Sequence, residues 1–198
     1  MNNFFSITFV VFSVFTFLLG AAFAQKGDKP ALQTVQSVDL GRYVGKWYEI
    51  AKYPNRFQKK CVANTTADYT MKPNGKIEVR NECLLKNGTS EKAVGDAKIA
   101  DKKTNAKLKV RFAPGALSFL PFVWGDYWII DLDADYKYVA IGEPKRNYFW
   151  ILSRTPTLDT STYQNILRRA EKMGFDPAKV EKSPQNAEVL NGDVLIKP

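Results

Sequence analysis

Between residues 46 and 154 the chain repeats one pattern: a short segment alternates apolar with polar residues at period two, and turn residues then end it. Period two sends successive side chains to opposite faces of an extended strand, so each segment reads as a strand with one buried face. The segments cover about 46–53, 62–71, 76–84 and 93–100, a fifth around Leu108, Val110 and Phe112, then 126–132, 138–142 and 148–154. In the second, Ala63, Thr65, Ala67, Tyr69 and Met71 alternate with Asn64, Thr66, Asp68 and Thr70. Lys72-Pro73-Asn74-Gly75 then turns into the third, where Ile77 and Val79 stand between Lys76, Glu78 and Arg80, the clearest hairpin in the sequence. Eight strands with short polar links predict an all-β fold, an eight-stranded antiparallel up-and-down barrel that removes its edges by closing on itself.

The period then changes to 3.6. Tyr163, Ile166, Leu167, Ala170 and Met173 share one face of a helix over about 161–173, opened by Ser161 with Gln164 three residues on and closed by Gly174. One apolar stripe predicts a single C-terminal α-helix packed on the outside of the barrel.

The first 24 residues carry no charge, run through a phenylalanine- and valine-rich core and end on Ala22-Phe23-Ala24. This is the form of a secretory leader cleaved after Ala24, although its n-region has no lysine or arginine. Gln25 stands where a lipid-anchored signal needs cysteine, so no diacyl anchor is expected. The expected organisation is a leader over 1–24, a lead-in over 25–37 and one domain over 38–198 with a C-terminal extension. An exported, periplasmic or secreted chain favours oxidation of its two cysteines, Cys61 and Cys83, to one disulfide. Asn64-Thr65-Thr66 and Asn87-Gly88-Thr89 are glycosylation sequons, of consequence only in a host that modifies exported chains.

The sequence contains no histidine, which removes Ser-His-Asp and Cys-His catalysis, histidine-ligated metals and the commonest base near neutral pH. No metal site and no cofactor are expected. The net charge of +9 comes from lysines spread along the chain, without a helix-turn-helix, zinc or phosphate-loop motif. Nucleic acid is therefore a poor partner, whereas weak attraction to anionic membrane surfaces is compatible with the charge.

Gly45 precedes Trp47, and Ser153-Arg154 follows late in the chain. Glycine permits a close approach, the indole can plug a narrow barrel, and an arginine can lie flat on it while donating to nearby carbonyls. The residues predict Gly45, Trp47 and Arg154 as a structural floor. Alternation gathers Ala67, Tyr69, Met71, Ile77, Val79, Ala97, Ile99, Leu108, Val110 and Phe112 on one face, with Trp128, Tyr138 and Trp150 as companions. From these, Tyr69, Met71, Val79, Val110, Phe112, Trp128, Tyr138 and Trp150 are the expected ligand-lining residues. The last three strands are apolar on both faces, and the residues alone leave a hollow and a filled interior both open.

Three ordered blocks carry a resemblance to a known family. Gly45-Lys46-Trp47-Tyr48-Glu49-Ile50-Ala51, Gly125-Asp126-Tyr127-Trp128-Ile129-Ile130-Asp131-Leu132-Asp133 and Trp150-Ile151-Leu152-Ser153-Arg154-Thr155-Pro156 resemble the conserved blocks of lipocalins, most closely the bacterial lipocalin and apolipoprotein D group, over nearly all of 38–175. The resemblance implies a calyx that binds fatty acids, lysophospholipids or other small hydrophobic ligands for transport or storage, without catalysis, in a monomer or weak homodimer. A lipocalin-type enzyme acting on a lipid-like substrate is the alternative, and Glu49, Tyr127 and Arg154 can each be argued into its site, Arg154 fitting better as a structural residue on Trp47.

The family's architecture places the connections 54–61, 85–92, 113–123 and 143–147 around an open mouth. The third carries no charge but five large apolar residues, Leu117, Phe119, Leu120, Phe122 and Val123. Such a loop can touch a lipid surface, line the entrance, cover a partner protein or fold inward as a lid. If Tyr69 faces Val79, uniform pairing puts Cys83 opposite Thr65 and leaves Cys61 about 13 Å short, beyond the roughly 7 Å that a disulfide spans. The expectation is that Cys61 leaves the ladder and ties a folded-back first loop to the wall.

Overall fold

The alternating segments form the wall. The structure, a computed structural model, describes residues 30–190 and 193–196, so the leader expected over 1–24 lies outside the described residues. The strands are β1 (Gly45–Lys52), β2 (Cys61–Met71), β3 (Ile77–Leu85), β4 (Ser90–Ile99), β5 (Lys107–Arg111), β6 (Gly125–Leu132), β7 (Tyr138–Gly142) and β8 (Phe149–Ser153). Each pairs antiparallel with the next, and β1 pairs with both β2 and β8, closing an eight-stranded barrel. All eight lie within one or two residues of the expected segments, save β4, which begins three residues early.

Two apolar layers follow from the alternation. Trp47, Ala67, Tyr69, Ile77, Val79, Ala97, Leu108, Tyr127, Ile129, Val139, Ile141 and Leu152 form an interior cluster. Ala51, Ile130, Ala140, Phe149 and Ile151 point the other way and pack against Tyr163, Ile166 and Ala170 of α2 (Thr160–Lys172). Helix α2 therefore covers β1, β7, β8 and part of β6, which explains why those strands are apolar on both faces.

The cap of α2 differs from expectation. Asp159, not Ser161, is the N-cap: its carboxylate accepts from Thr162 N at 2.8 Å, and Ser161 Oγ donates to the same oxygen at 2.7 Å. Hydrogen bonds from the side chains of Thr162 and Ser161, and then from the Thr162 amide, hold the Asp159 pKa down at about 2; an acidic cap also matches the positive helix terminus. Gly174, at φ 86°, ends the helix as predicted.

The first loop also corrects the expectation. Cys61 begins β2 and pairs with Leu85; it does not leave the ladder. Register shifts between Cys61 and Ala63 and between Ala63 and Thr66 absorb the residues that uniform pairing left over, and Asn64 at φ 51° sits in that irregular stretch. The Cys61 and Cys83 Cα atoms are 5.6 Å apart and the disulfide is formed.

Two further features carried no period. Helix α1 (Leu40–Tyr43), capped by Asp39, precedes β1. Beyond α2, β9 (Glu181–Lys182) pairs with β1 where β2 has diverged from it, and β10 (Ala187–Leu190) pairs with β11 (Asp193–Ile196).

Candidate ligand-binding site

Helix α1 positions the floor. At φ 92°, Gly45 lies in the region that favours glycine, and a Cβ there would stand 3.4 Å from Arg154 Nη1. The Arg154 guanidinium lies 3.8 Å over the Trp47 ring. Its nitrogens donate to the carbonyls of Lys46 at 2.9 Å, Arg42 at 2.6 Å, Tyr43 at 3.1 Å and Val44 at 3.0 Å, so one side chain satisfies the carbonyls around α1's end. Trp47 Nε1 donates to Tyr43 O at 2.8 Å. The structure thus brings Gly45, Trp47 and Arg154 together at the closed end.

Directly inside this floor stand three phenols. Tyr127 OH is 2.6 Å from Tyr43 OH and 2.8 Å from Tyr69 OH. Burial pushes all three above the ordinary phenol pKa, Tyr69 to about 12, so they are neutral at physiological pH. Above them the wall is hydrocarbon from Val79, Ala97, Val110 and Leu152, with Trp150 toward the mouth.

At the mouth the first loop turns inward through a 3-10 turn over Arg56–Gln58. Gln58 Nε2 donates to Glu49 Oε2 at 2.5 Å, and Gln58 Oε1 accepts from Asn55 Nδ2 at 2.7 Å and Trp150 Nε1 at 3.1 Å. Ser183 Oγ donates to Glu49 Oε1 at 2.6 Å, and Gln185 Nε2 bridges Glu49 O and Thr65 O at 2.6 and 2.8 Å. One buried carboxylate thus ties the first loop and the C-terminal segment together where β1 and β2 part. Burial raises the Glu49 pKa against the opposing effects of Ser183, Gln58 and Lys52.

Of the residues expected to line the interior, Tyr69, Val79, Val110 and Trp150 face it. Trp128 and Tyr138 do not: both pack in the outer layer, Trp128 under Lys107 Nζ at 4.3 Å and Tyr138 with its hydroxyl accepting from Arg169 Nη2 at 3.1 Å. With both faces of β6 and β7 buried, hydrophobicity carried no sign of which face was inner. Met71, at the end of β2, and Phe112, one residue past β5, are exposed. The interior groups that sequence reasoning passed over are Tyr43 and Gln58, both held by short helical turns, and the Asn55 and Asp39 caps before those turns were the available signals.

The third mouth loop folds as two 3-10 turns, Gly115–Leu117 and Pro121–Val123, pinned by Trp124 Nε1 donating to Ser118 O at 2.8 Å. Phe119 is 76 % and Phe122 80 % exposed, and Leu117 is exposed too, so these side chains face solvent and do not pack inward as a lid; Leu120 is half-buried. Of the sequons, Asn87 is exposed in its turn, whereas Asn64 Nδ2 is bonded to Ala187 O at 2.8 Å. Among the described residues no cluster of metal-ligating side chains occurs, and no helix is long and apolar enough to cross a membrane.

Comparison with known proteins agrees with this geometry. Residues 38–185 match the Lipocalin-like domain. The chain is 43% identical over 161 residues to temperature-induced lipocalin-1 of Arabidopsis thaliana, covering 80% of this chain and 86% of that protein. It is 37% identical to the outer membrane lipoprotein Blc of Escherichia coli K12, covering 73% and 78%. With apolipoprotein D of Mus musculus the identity is 32%, covering 80% and 83%. Among solved structures, insecticyanin of the tobacco hornworm Manduca sexta superimposes with a TM-score of 0.61 at 26% identity, covering 79% of this chain and 86% of that one.

Proposed function

The chain belongs to the lipocalin family, and from that premise we propose that it is a non-catalytic carrier or store of small lipids, of the fatty-acid or lysophospholipid kind, held inside the barrel. The observation that carries this reading is the interior itself: hydrocarbon walls above a sealed floor, with Val110 and Trp150 facing inward yet only partly buried. One of the relatives is named as an apolipoprotein, which supports a lipid guest over other hydrophobes. The disulfide supports export to an oxidising compartment.

The driving force is transfer of hydrocarbon out of water. At about 0.8 kcal/mol per methylene, a sixteen-carbon chain gains roughly 12 kcal/mol. Association costs of at least about 4 kcal/mol leave at most roughly 8 kcal/mol, so micromolar affinity is the upper limit. The test is titration of delipidated protein with a fluorescent fatty acid, followed by displacement with unlabelled lipids. Saturable, displaceable binding is expected, and a linear, non-displaceable signal defeats the reading. The enzyme alternative predicts turnover of a lipid-like substrate without stoichiometric retention; native mass spectrometry of the protein with its cargo separates the two.

A second reading, contact with an anionic lipid surface during loading, is favoured by the mouth. Phe57, Phe119 and Phe122 are exposed on the first and third connections, and Arg56, Lys59, Lys60, Lys86 and Lys145 are exposed on the connections of the same end.

A further inference from the structure

Three phenols carry three protons, and the two hydrogen bonds among Tyr43, Tyr69 and Tyr127 use two of them. Whichever way those bonds run, one O–H remains without an acceptor among the described residues. A donor left over in a hydrocarbon interior costs as much as a lost hydrogen bond, so folds rarely leave one without a use.

Exposure is graded across the cluster: Tyr43 is 0 %, Tyr69 4 % and Tyr127 9 % exposed. Tyr127, bonded to both neighbours, is thus the least covered of the three phenols.

We propose that the Tyr43–Tyr69–Tyr127 cluster is a recognition point for a neutral oxygen acceptor, a carbonyl or hydroxyl, at the leading end of an apolar guest, which enters oxygen first. This rests on the carrier reading above and specifies the ligand class of the same interior. One surplus donor matches one acceptor. A neutral oxygen fits better than a carboxylate because removing an ion from water costs far more than removing a carbonyl.

The experiment measures dissociation constants of delipidated protein for methyl decyl ketone, dodecane and dodecanoic acid. The wild-type protein is expected to bind the ketone roughly tenfold more tightly than the hydrocarbon of equal carbon number, and more tightly than the acid. The Tyr43→Phe/Tyr69→Phe/Tyr127→Phe variant keeps all three rings, removes every phenol proton and is expected to bind ketone and dodecane alike, with dodecane affinity retained. Equal binding of ketone and dodecane by the wild type, or a preference that survives the triple substitution, overturns the inference while the carrier reading stands. Failure of the wild type to bind any of the three overturns both. A second measurement does not depend on the tyrosine variant folding: the same ketone brominated on its far carbon is used as a quencher of indole fluorescence. Oxygen-first entry puts the bromine at the mouth, so quenching is expected to vanish in Trp124→Phe/Trp150→Phe; with Trp128 packed in the outer layer, quenching that persists there places the bromine against Trp47 and overturns the proposal.

Discussion

Glu49 is an acid buried where charge is expensive, and the sign of its effect follows. Its folded pKa is raised above 4.5 by burial, so the native state holds a proton that the unfolded chain has lost between that value and its own. Stability must therefore fall as pH rises through that window. The expected outcome for Glu49→Gln is a melting temperature that gains on the wild type as pH increases from about 4 to 7, read by differential scanning calorimetry; a pH-independent difference would contradict the burial argument. Arg154 gives the opposite kind of residue effect. Arg154→Ala strips a ring stack and the donors to four carbonyls, expected to cost about 3 kcal/mol and on the order of 10 °C in Tm. Arg154→Lys should recover little, since an ammonium cannot spread over the ring and the carbonyls together. These two positions also mark the limit of what residues disclose alone. Gly45, Trp47 and Arg154 were legible because each is nearly the only residue type that does its job. Gln58, Ser183 and Tyr43 were not, because ordinary polar or aromatic residues acquire roles only when loops bring them onto Glu49 or Tyr127.

Elements were legible where one face is wet. Strands β2, β3 and β5 alternate cleanly and were placed within a residue or two, with Tyr69, Val79 and Val110 assigned to the inner face that they occupy. Strands β6 to β8 lie between the interior and α2, so alternation gives no sign there, and Trp128 and Tyr138 were assigned to the wrong side. The same double burial makes Gly142 sensitive. A Cβ at that position would stand 2.5 Å from the Phe175 ring and 3.3 Å from Ile130 Cδ1. Gly142→Ala is expected to force Phe175 off the outer sheet face and cost roughly 1–3 kcal/mol, seen as a lower urea midpoint with unchanged slope. At the mouth, two bulges bring Cys61 to Cys83, closing a loop across a separation of 22 residues. Replacing both cysteines by alanine should remove about 3 kcal/mol through the freed unfolded chain. Hydrogen exchange is expected to show the extra opening in the first connection and at the adjoining end of β2, with the floor strands keeping their relative protection.

At the scale of the molecule, the barrel is asymmetric: one end is sealed by α1, Trp47 and Arg154, and the other presents phenylalanines among lysines and arginines. The closed topology followed from eight alternating segments, but the seam did not. Strands β1 and β2 pair only from Gly45↔Tyr69 to Tyr48↔Thr66, and the gap beyond is filled by β9, Ser183 and Gln185, a polar tail whose pattern names no partner. The asymmetry predicts two separable contributions to membrane contact. Exposed cations and a net charge of +9 attract anionic vesicles from a distance, and that attraction decays within a Debye length of about 8 Å at physiological salt. Burial of Phe119 and Phe122 in the headgroup region is short-ranged and indifferent to salt. In sedimentation with phosphatidylserine-containing vesicles, Phe119→Ser/Phe122→Ser is expected to lower partitioning by roughly tenfold or more at every salt concentration, since each phenyl contributes about 1 kcal/mol or more on burial. Lys59→Ser/Lys60→Ser should instead lower it at low salt and converge on the wild type at high salt. If the phenylalanine variant also converges with the wild type as salt rises, the loop makes no contact with the lipid, and charge alone holds the protein at the surface.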